Sequence, residues 1–113
     1  METKMKILFV CSANQDRSPT AENMYKDRPG LEVKSAGVSW YARVSLNSEL
    51  VNWADVILTM EEWHQDKIVE DYPELISGKI IDCLDIPDTY RYMHPSLQEM
   101  IREKVDAWLN KNH

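Results

Sequence analysis

Short apolar segments recur along the chain and predict strands. Residues 6–10 are apolar on both faces, which is typical of a buried strand in a parallel sheet. Residues 31–35 alternate apolar and polar side chains, as an outer strand does. Residues 55–60 and 79–84 are two further segments of this kind, so the pattern predicts four strands.

Segments with helical features separate these strands. The first predicted helix begins at Ser18, which can act as its N-cap, has Pro19 in its first turn, and stops near residues 28–30. The other three predicted helices cover residues 47–54, about 61–69 and 95 to about 110. In the last helix apolar residues recur at helical spacing, so one of its faces is expected to be buried.

Strands that alternate with helices are joined by right-handed crossovers into a parallel sheet. At 113 residues the chain suits one domain, residues 1–113, without room for a second. We therefore expect an α/β fold, a single three-layer domain whose four-stranded parallel sheet has the order 2-1-3-4 and is flanked by helices. In that order the chain changes direction between strands one and three, and ligands bind at the carboxyl ends of strands at such a point.

A cysteine and an arginine stand at this predicted edge with five residues between them. Cys11 follows the first strand, and Arg17 directly precedes the first helix. Five residues are enough to wrap once around a tetrahedral anion, with the thiol at the bottom and the guanidinium at the rim. Backbone N–H groups at a helix start favour the thiolate, and a thiolate beneath a bound phosphate can attack phosphorus. Residues 11–17, here named the anion loop, are the candidate site.

Composition and charge narrow the function further. The net charge of −6 argues against general nucleic-acid binding, so no nucleic-acid partner is expected. The two cysteines, Cys11 and Cys83, do not suggest a disulfide framework, and a reducing cytoplasm is the expected location. No segment approaches the roughly 20 apolar residues of a membrane span, and the N-terminus is too polar for a secretory signal, so no membrane partner is expected.

Three motifs resemble those of the low-molecular-weight protein tyrosine phosphatases. The first is the Cys-x5-Arg-Ser motif of residues 11–18, placed after a strand and before a Pro-Thr-Ala-Glu helix start. The other two are residues 35–37 and 54–60, in the order that the family shows them. The chain is similar to a compact bacterial and archaeal branch of predicted phosphatases, in which a segment like residues 84–93 precedes the last helix. The resemblance implies a phosphotyrosine phosphatase I-like fold.

The resemblance also implies an activity, the hydrolysis of protein phosphotyrosine or another aryl phosphate through a phosphocysteine, without metal or cofactor. The partner would be a phosphorylated protein or a small aryl phosphate. Cys11 would be the nucleophile, Arg17 would bind two phosphoryl oxygens, and Ser18 would donate its hydroxyl to the sulfur. Asn14 would adopt a positive φ. The implied substrate-binding residues of the loop are Ser12, Ala13, Asn14, Gln15, Asp16 and Ser18.

A thiolate attack needs a protonated group on the far side of phosphorus, because the leaving group takes up a proton. The family commonly carries this acid in an Asp-Pro pair, which the chain lacks. The nearest candidates are Asp85 and Asp88, and Asp85 is favoured because it follows the fourth strand. A capping or turn role for Asp85 is the alternative. His94 is a further candidate for the acid.

Other side chains are expected around the mouth of the site. Asp16 should point outward, because a carboxylate beside a phosphoryl dianion would weaken binding, and we hypothesise that it tunes substrate choice. The aromatic residues that could form walls for a phenyl phosphate are Trp40, Tyr41, Tyr90 and Tyr92, with ordinary packing as the alternative. His64, by contrast, is expected to be solvated on its helix.

Two other functions stay open on this sequence. A phosphate-binding module without turnover needs the anion loop but no general acid, and the missing Asp-Pro pair is compatible with it. Arsenate reduction is the second, since some reductases resemble this family. The thioredoxin-coupled kind needs two further cysteines close together, and the chain has only Cys83, inside a predicted strand.

Overall fold

In the computed structural model, which describes residues 4–112, four parallel strands form a sheet that is covered by helices on both faces. The elements in chain order are β1 (Met5–Cys11), α1 (Arg17–Tyr25), β2 (Leu31–Gly37), α2 (Ser48–Trp53), β3 (Val56–Thr59), α3 (Glu62–Asp71), β4 (Ile80–Cys83) and α4 (Pro95–Asn112). The strand order is β2-β1-β3-β4, and each neighbouring pair is parallel. The predicted α/β fold and its sheet order 2-1-3-4 are confirmed.

Strand β1 contributes to the hydrophobic cores on both faces of the sheet. Ile7 and Phe9 pack into one cluster with α1 and α4, whereas Leu8 and Val10 pack into a second cluster with α2 and α3. All four side chains are fully buried. Successive side chains of a strand point to opposite faces, so the four consecutive apolar side chains of residues 7–10 are covered on both sides, as expected of the predicted buried strand.

Helix α4 packs its apolar face against α1 and the sheet. The buried residues of that face are Leu97, Ile101, Val105, Trp108 and Leu109, at the predicted helical spacing. Tyr25, the last residue of α1, donates its hydroxyl to Asp106 at 2.8 Å, and Arg28 forms an ion pair with the same carboxylate at 3.1 Å. These contacts attach the carboxyl end of α1 to α4. Neither α4 nor another helix within residues 4–112 has the length and apolar composition needed to cross a membrane.

The first helix differs from its predicted bounds. It begins at Arg17, earlier than predicted, and ends at Tyr25. The prediction that Ser18 is its N-cap is wrong, because the Ser18 hydroxyl lies 2.9 Å from the sulfur of Cys11 inside the anion loop. After the helix, Gly30 with a φ of +83° turns the chain into β2, a conformation that glycine adopts without steric cost.

Candidate active site

The anion loop leaves the carboxyl end of β1 and lies against the end of β2. Cys11 is opposite Gly37 in the register of these two strands. A Cβ atom on Gly37 would lie only 2.6 Å from the carbonyl oxygen of Ser12 and 2.9 Å from the backbone nitrogen of Asn14. The close approach therefore requires glycine, which gives a steric reason for the motif at residues 35–37.

The sulfur of Cys11 lies at the bottom of this loop, and the residue is only 3% exposed. The backbone N–H of Asn14 donates to Sγ over 3.3 Å, and the Ser18 oxygen lies 2.9 Å from it. Hydrogen bonds of this kind favour the thiolate form of a cysteine, which is the reactive form. A cavity of about 120 Å³ opens beside the sulfur and is lined by Cys11, Ser12, Ala13, Gln15, Asp16, Arg17, Tyr41 and Asp88.

Asn14 supports the loop from inside. Its φ is +54°, a positive value as expected, and its side chain is fully buried. The amide Nδ2 donates to the hydroxyl oxygens of Ser18 at 2.8 Å and Ser35 at 2.9 Å. Because the Ser18 oxygen accepts from Asn14, its own hydrogen can point to Cys11, and the alternative acceptor, the Ala36 carbonyl, is farther away at 3.4 Å.

The guanidinium of Arg17 is oriented by contacts on one side. Its Nη1 donates to Oε2 of Glu61 at 2.6 Å and to the carbonyl of Ile86 at 2.8 Å, which uses both Nη1 hydrogens. Nη2 donates to Oγ of Ser12 at 3.3 Å, and Nε lies 3.8 Å from a carboxylate oxygen of Asp88. The Nε hydrogen and the second Nη2 hydrogen form the edge that can bind two phosphoryl oxygens. Arg17 contributes positive charge to the cavity, and Arg43 donates from its Nε to the carbonyl of Asn14 in the anion loop at 3.1 Å. No group of three or more His, Cys, Asp or Glu within residues 4–112 could hold a metal ion.

Glu61 is a site residue that the sequence analysis missed. It directly precedes α3 and follows the carboxyl end of β3, the strand beside β1. The hydrogen bond from Arg17 lowers the pKa of Glu61 below its usual range, against the opposing effect of burial. The available signal was its position, since side chains just beyond neighbouring parallel strands meet at one edge of the sheet.

His64 is a second missed residue, and the expectation that it is solvated is wrong, since it is fully buried. Burial and, second, the positive charge of Arg17 lower the pKa of His64 to about 4, so it is neutral near pH 7. Its Nδ1 accepts the backbone N–H of Glu61 at 3.0 Å, which places the proton on Nε2 and makes Nε2 the donor to Oγ of Ser12 at 2.9 Å. The Ser12 oxygen thus accepts from both His64 and Arg17, and its own hydrogen is free for an acceptor in the cavity.

The loop between β4 and α4, residues 84–94, carries the candidate acids and is here named the late loop. Asp88 lines the cavity with Cys11 and Arg17. Asp85 is exposed, does not line the cavity, and sits in a turn with φ of +55° whose carbonyl accepts from Lys104. His94 directly precedes α4, where its Nδ1 accepts the backbone N–H of Ser96. Of the three candidates, the structure brings Asp88 to the sulfur and the guanidinium.

The aromatic residues are divided between the cavity and its surroundings. Tyr41 lines the cavity, and Trp40 stands beside it edge-on at 5.7 Å, with 90% of its surface exposed. Tyr92 lines a neighbouring groove instead. Tyr90 is partly buried against the core, with its ring 5.0 Å from that of His94. Only Tyr41 among them borders the cavity directly.

The remaining predicted residues belong to the loop itself. Ala13 and Gln15 line the cavity, and Gln15 also borders the neighbouring groove. Asp16 accepts the backbone N–H of Tyr92 with its Oδ1 at 2.8 Å. Its carboxylate is therefore directed to the late loop rather than to the sulfur.

Known proteins match the chain in sequence and in fold. The family model of the low molecular weight phosphotyrosine protein phosphatases matches residues 6–45. The low molecular weight protein-tyrosine-phosphatase Etp of Escherichia coli strain K12 is 31% identical, over 75% of this chain and 77% of that protein. The protein-arginine-phosphatase of Geobacillus stearothermophilus is 37% identical, over 61% of this chain and 63% of that protein, so the chain spans less than two thirds of its length.

The fold agrees with these sequence matches. The solved structure of Vibrio vulnificus Wzb in complex with benzylphosphonate has a TM-score of 0.77 and 26% identity, covering 96% of this chain and 99% of that one. The fold and the Cys-x5-Arg loop place the chain in the structural class of the cysteine-dependent phosphatases. The chain belongs to the low molecular weight phosphotyrosine protein phosphatase family, as its motifs predict.

Proposed function

We propose that this chain hydrolyses aryl phosphates, above all protein phosphotyrosine, through a phosphocysteine on Cys11. One observation carries the proposal: in a single loop the N–H of Asn14 donates to the Cys11 sulfur, and Cys11 and Arg17 line the same cavity. Phosphoryl transfer depends mainly on positioning and on the stabilisation of negative charge, and this loop supplies both. We propose that neither a metal nor a cofactor takes part, because the nucleophile, the cation and the acid are all side chains.

In the first step the thiolate of Cys11 attacks phosphorus, an S–P bond forms, and the bond from phosphorus to the phenolic oxygen breaks. Arg17 binds two phosphoryl oxygens through Nε and Nη2, with loop N–H groups and the Ser12 hydroxyl as further donors. The proton that the departing phenolate needs comes from the carboxyl group of Asp88. After this step Asp88 is ionised and Cys11 carries the phosphoryl group.

In the second step a water molecule attacks the phosphorus of the phosphocysteine. The carboxylate of Asp88 takes a proton from this water, the S–P bond breaks, and inorganic phosphate forms. The sulfur leaves as a thiolate, which accepts a hydrogen bond from the hydroxyl of Ser18. The enzyme returns to its starting state with Asp88 protonated.

We assign the acid to Asp88 rather than to Asp85, which the sequence favoured. Asp88 lines the cavity, and its carboxylate lies 3.8 Å from Nε of Arg17. Asp85 stands in an exposed turn outside the cavity, which suits the turn role that was its alternative. A proton donor has to come within hydrogen-bond reach of the leaving oxygen, and the position of Asp88 meets this condition better.

For the substrate we propose that Tyr41 contacts the aryl group, with the exposed ring of Trp40 beside it. A phosphorylated protein or a small aryl phosphate is the expected partner, rather than a nucleic acid or a membrane. The net charge of −6 supports this exclusion of nucleic acid. We further propose a cytoplasmic location, supported by two cysteines that are both free thiols.

Phosphoarginine is a second candidate substrate. The arginine phosphatase of Geobacillus stearothermophilus is 37% identical over the matched part, and the exposed carboxylate of Asp88 borders the cavity beside one aromatic ring. Carboxylates pair with a guanidinium more strongly than an aromatic ring does.

Arsenate reduction through a disulfide relay has no such support. Cys83 lies two strands away from Cys11, beyond β3, whereas a disulfide needs Cα atoms within about 7 Å of each other.

The test is turnover of para-nitrophenyl phosphate in EDTA between pH 5 and 8. We expect activity with a bell-shaped pH profile on the acid side of neutral, and none for Cys11→Ser. If the wild type and Cys11→Ser are equally inactive, the proposed phosphatase activity is rejected. Phosphate binding without turnover would indicate a binding module. Matched peptides with phosphotyrosine or phosphoarginine at one position then decide between the two substrates.

A further inference from the structure

The late loop is hydrogen-bonded to the anion loop on both sides of Asp88. Before Asp88, the carbonyl of Ile86 accepts from Nη1 of Arg17 at 2.8 Å. After Asp88, the backbone N–H of Tyr92 donates to Oδ1 of Asp16 at 2.8 Å. The segment that carries the proposed acid is therefore attached to the anion loop at two points.

A second hydrogen bond supports the attachment at Asp16. The backbone N–H of Met93 donates to Oγ1 of Thr20 at 2.9 Å, and the same hydroxyl donates to the backbone carbonyl of Asp16 at 2.6 Å. Thr20 is fully buried. Met93 has a φ of +60°, so the chain turns there, and the consecutive N–H groups of Tyr92 and Met93 both bond to the start of α1.

The side chain of Asp88, by contrast, makes no hydrogen bond to another residue within 4–112, and it is 62% exposed. Its charged neighbour is Nε of Arg17 at 3.8 Å, which is too long for a hydrogen bond. The place of its carboxyl group therefore follows from the backbone between Ile86 and Tyr92. A displacement of about 1 Å is enough to lower the rate of a positioned proton transfer.

We propose that Asp16 is a positioning residue, which fixes the late loop so that Asp88 can protonate the leaving group. The inference rests on the proposed function, because it needs Asp88 to be the acid. The proposal gives the Asp16 carboxylate a role other than substrate choice, because its Oδ1 accepts a hydrogen bond from the backbone N–H of Tyr92.

The test compares Asp16→Ala, which removes the acceptor, with Asp16→Asn, which keeps an oxygen acceptor without the charge. Phenyl phosphate has a leaving group that needs a proton, whereas 2,4-dinitrophenyl phosphate has one that leaves without it. We expect Asp16→Ala to lower kcat/KM about tenfold for phenyl phosphate and less than about twofold for the dinitrophenyl ester. Asp16→Asn should stay within about twofold of the wild type on both substrates. Thr20→Val should behave as Asp16→Ala does, and Thr20→Ser as the wild type.

Three results would overturn the inference. One is an equal loss on both esters in Asp16→Ala, and another is a loss in Asp16→Asn as large as in Asp16→Ala. The third is a change confined to the relative rates on different phosphopeptides, which would restore the role in substrate choice. Hydrogen exchange gives a readout that needs no activity: the amides of Tyr92 and Met93 should exchange faster in Asp16→Ala, and unchanged exchange rejects the attachment.

The variant Asp88→Asn separates this inference from the proposed function. If Asp88→Asn lowers kcat/KM mainly for phenyl phosphate and Asp16→Ala does not, the inference fails alone. If Asp88→Asn affects both esters equally, the assignment of the acid fails and the inference fails with it. If the acid is Asp88 and Asp16 positions it, the double variant Asp16→Ala with Asp88→Asn should depend on the leaving group no more than Asp88→Asn alone does. The two residues then act on the same proton transfer.

Discussion

Oε2 of Glu61 lies 2.6 Å from Nη1 of Arg17, so a carboxylate at the end of β3 orients the guanidinium at the start of α1. The contact joins two residues that are 44 positions apart in the chain. It occupies the side of the guanidinium opposite the Nε edge, which lies near Asp88 at the cavity. The proposed anion binding at Arg17 would therefore depend on a residue that need not touch the anion.

Removing the carboxylate of Glu61 should weaken anion binding. We expect Glu61→Ala to raise the inhibition constant of inorganic phosphate about 10- to 100-fold, because the guanidinium loses its orientation. Glu61→Gln should have a smaller effect, since its amide oxygen can still accept from Arg17. Its exposed neighbour provides the control, and Glu62→Ala should bind phosphate as the wild type does. Phosphate inhibition of Glu61→Ala equal to that of the wild type contradicts this role.

The buried, neutral His64 should make stability depend on pH. In the unfolded chain its pKa is about 6.5, whereas burial lowers the pKa of His64 in the folded protein to about 4. Between these two pKa values mainly the unfolded chain binds the proton. The contribution of His64 to the free energy of unfolding is therefore complete above pH 6.5 and is lost as the pH falls towards 4. The full loss amounts to about 3 kcal/mol.

Urea unfolding at several pH values measures this contribution. The free energy of unfolding of the wild type minus that of His64→Gln should shrink as the pH falls from 7 to 5. A difference for His64 that is constant over this range contradicts a buried neutral imidazole.

Adding one methyl group at Gly37 should disrupt the anion loop. The Cβ of Gly37→Ala would lie 2.6 Å from the Ser12 carbonyl and 2.9 Å from the Asn14 nitrogen, both of which are backbone atoms. We expect kcat/KM to fall at least about 100-fold, because the loop has to move by about 1 Å or more. Gly78→Ala is the matched control: a positive φ strains it, but its Cβ meets nothing within 4 Å. It should lose stability and keep kcat/KM, and a Gly37→Ala enzyme as active as Gly78→Ala would contradict the steric argument.

The hydrogen bond from Tyr25 to Asp106 should contribute to stability and not to catalysis. Tyr25→Phe leaves the carboxylate without this donor, and we expect the free energy of unfolding to fall by about 1 kcal/mol with kcat unchanged. Tyr72→Phe is a useful comparison, because the Tyr72 hydroxyl is 3.4 Å from its acceptor and should contribute less. A large loss of kcat in Tyr25→Phe would show that the packing of α1 on α4 affects the site.

The fold and the anion loop could be predicted because the sequence patterns that indicate them are local. The spacing of apolar residues indicates which segments are strands and which are helices. The alternation of strands with helices along the chain then indicates a parallel sheet. Cys11 and Arg17 are predictable for the same reason, since their spacing, the preceding strand and the following helix lie within one short stretch. The positive φ of Asn14 is predictable for the same reason, because it depends only on the conformation of the loop.

The sequence did not reveal residues whose place in the site depends on the register of the strands. Glu61 and His64 reach the anion loop because β3 pairs with β1, with Thr59 opposite Val10. A single glutamate after a strand and a single histidine on a helix carry no local sign of this pairing. Asp85 was preferred to Asp88 on its distance from β4 alone, whereas the path of the late loop depends on bonds between segments as far apart as Asp16 and Tyr92.

The central claim is that the Cys11 sulfur takes up the phosphoryl group, and rapid quenching during turnover of para-nitrophenyl phosphate tests it directly. Intact-mass and peptide analysis of the quenched enzyme should show one added phosphoryl group on Cys11, with none on Cys11→Ser. A phosphoryl group on another residue, or turnover that persists in Cys11→Ser, would contradict the account.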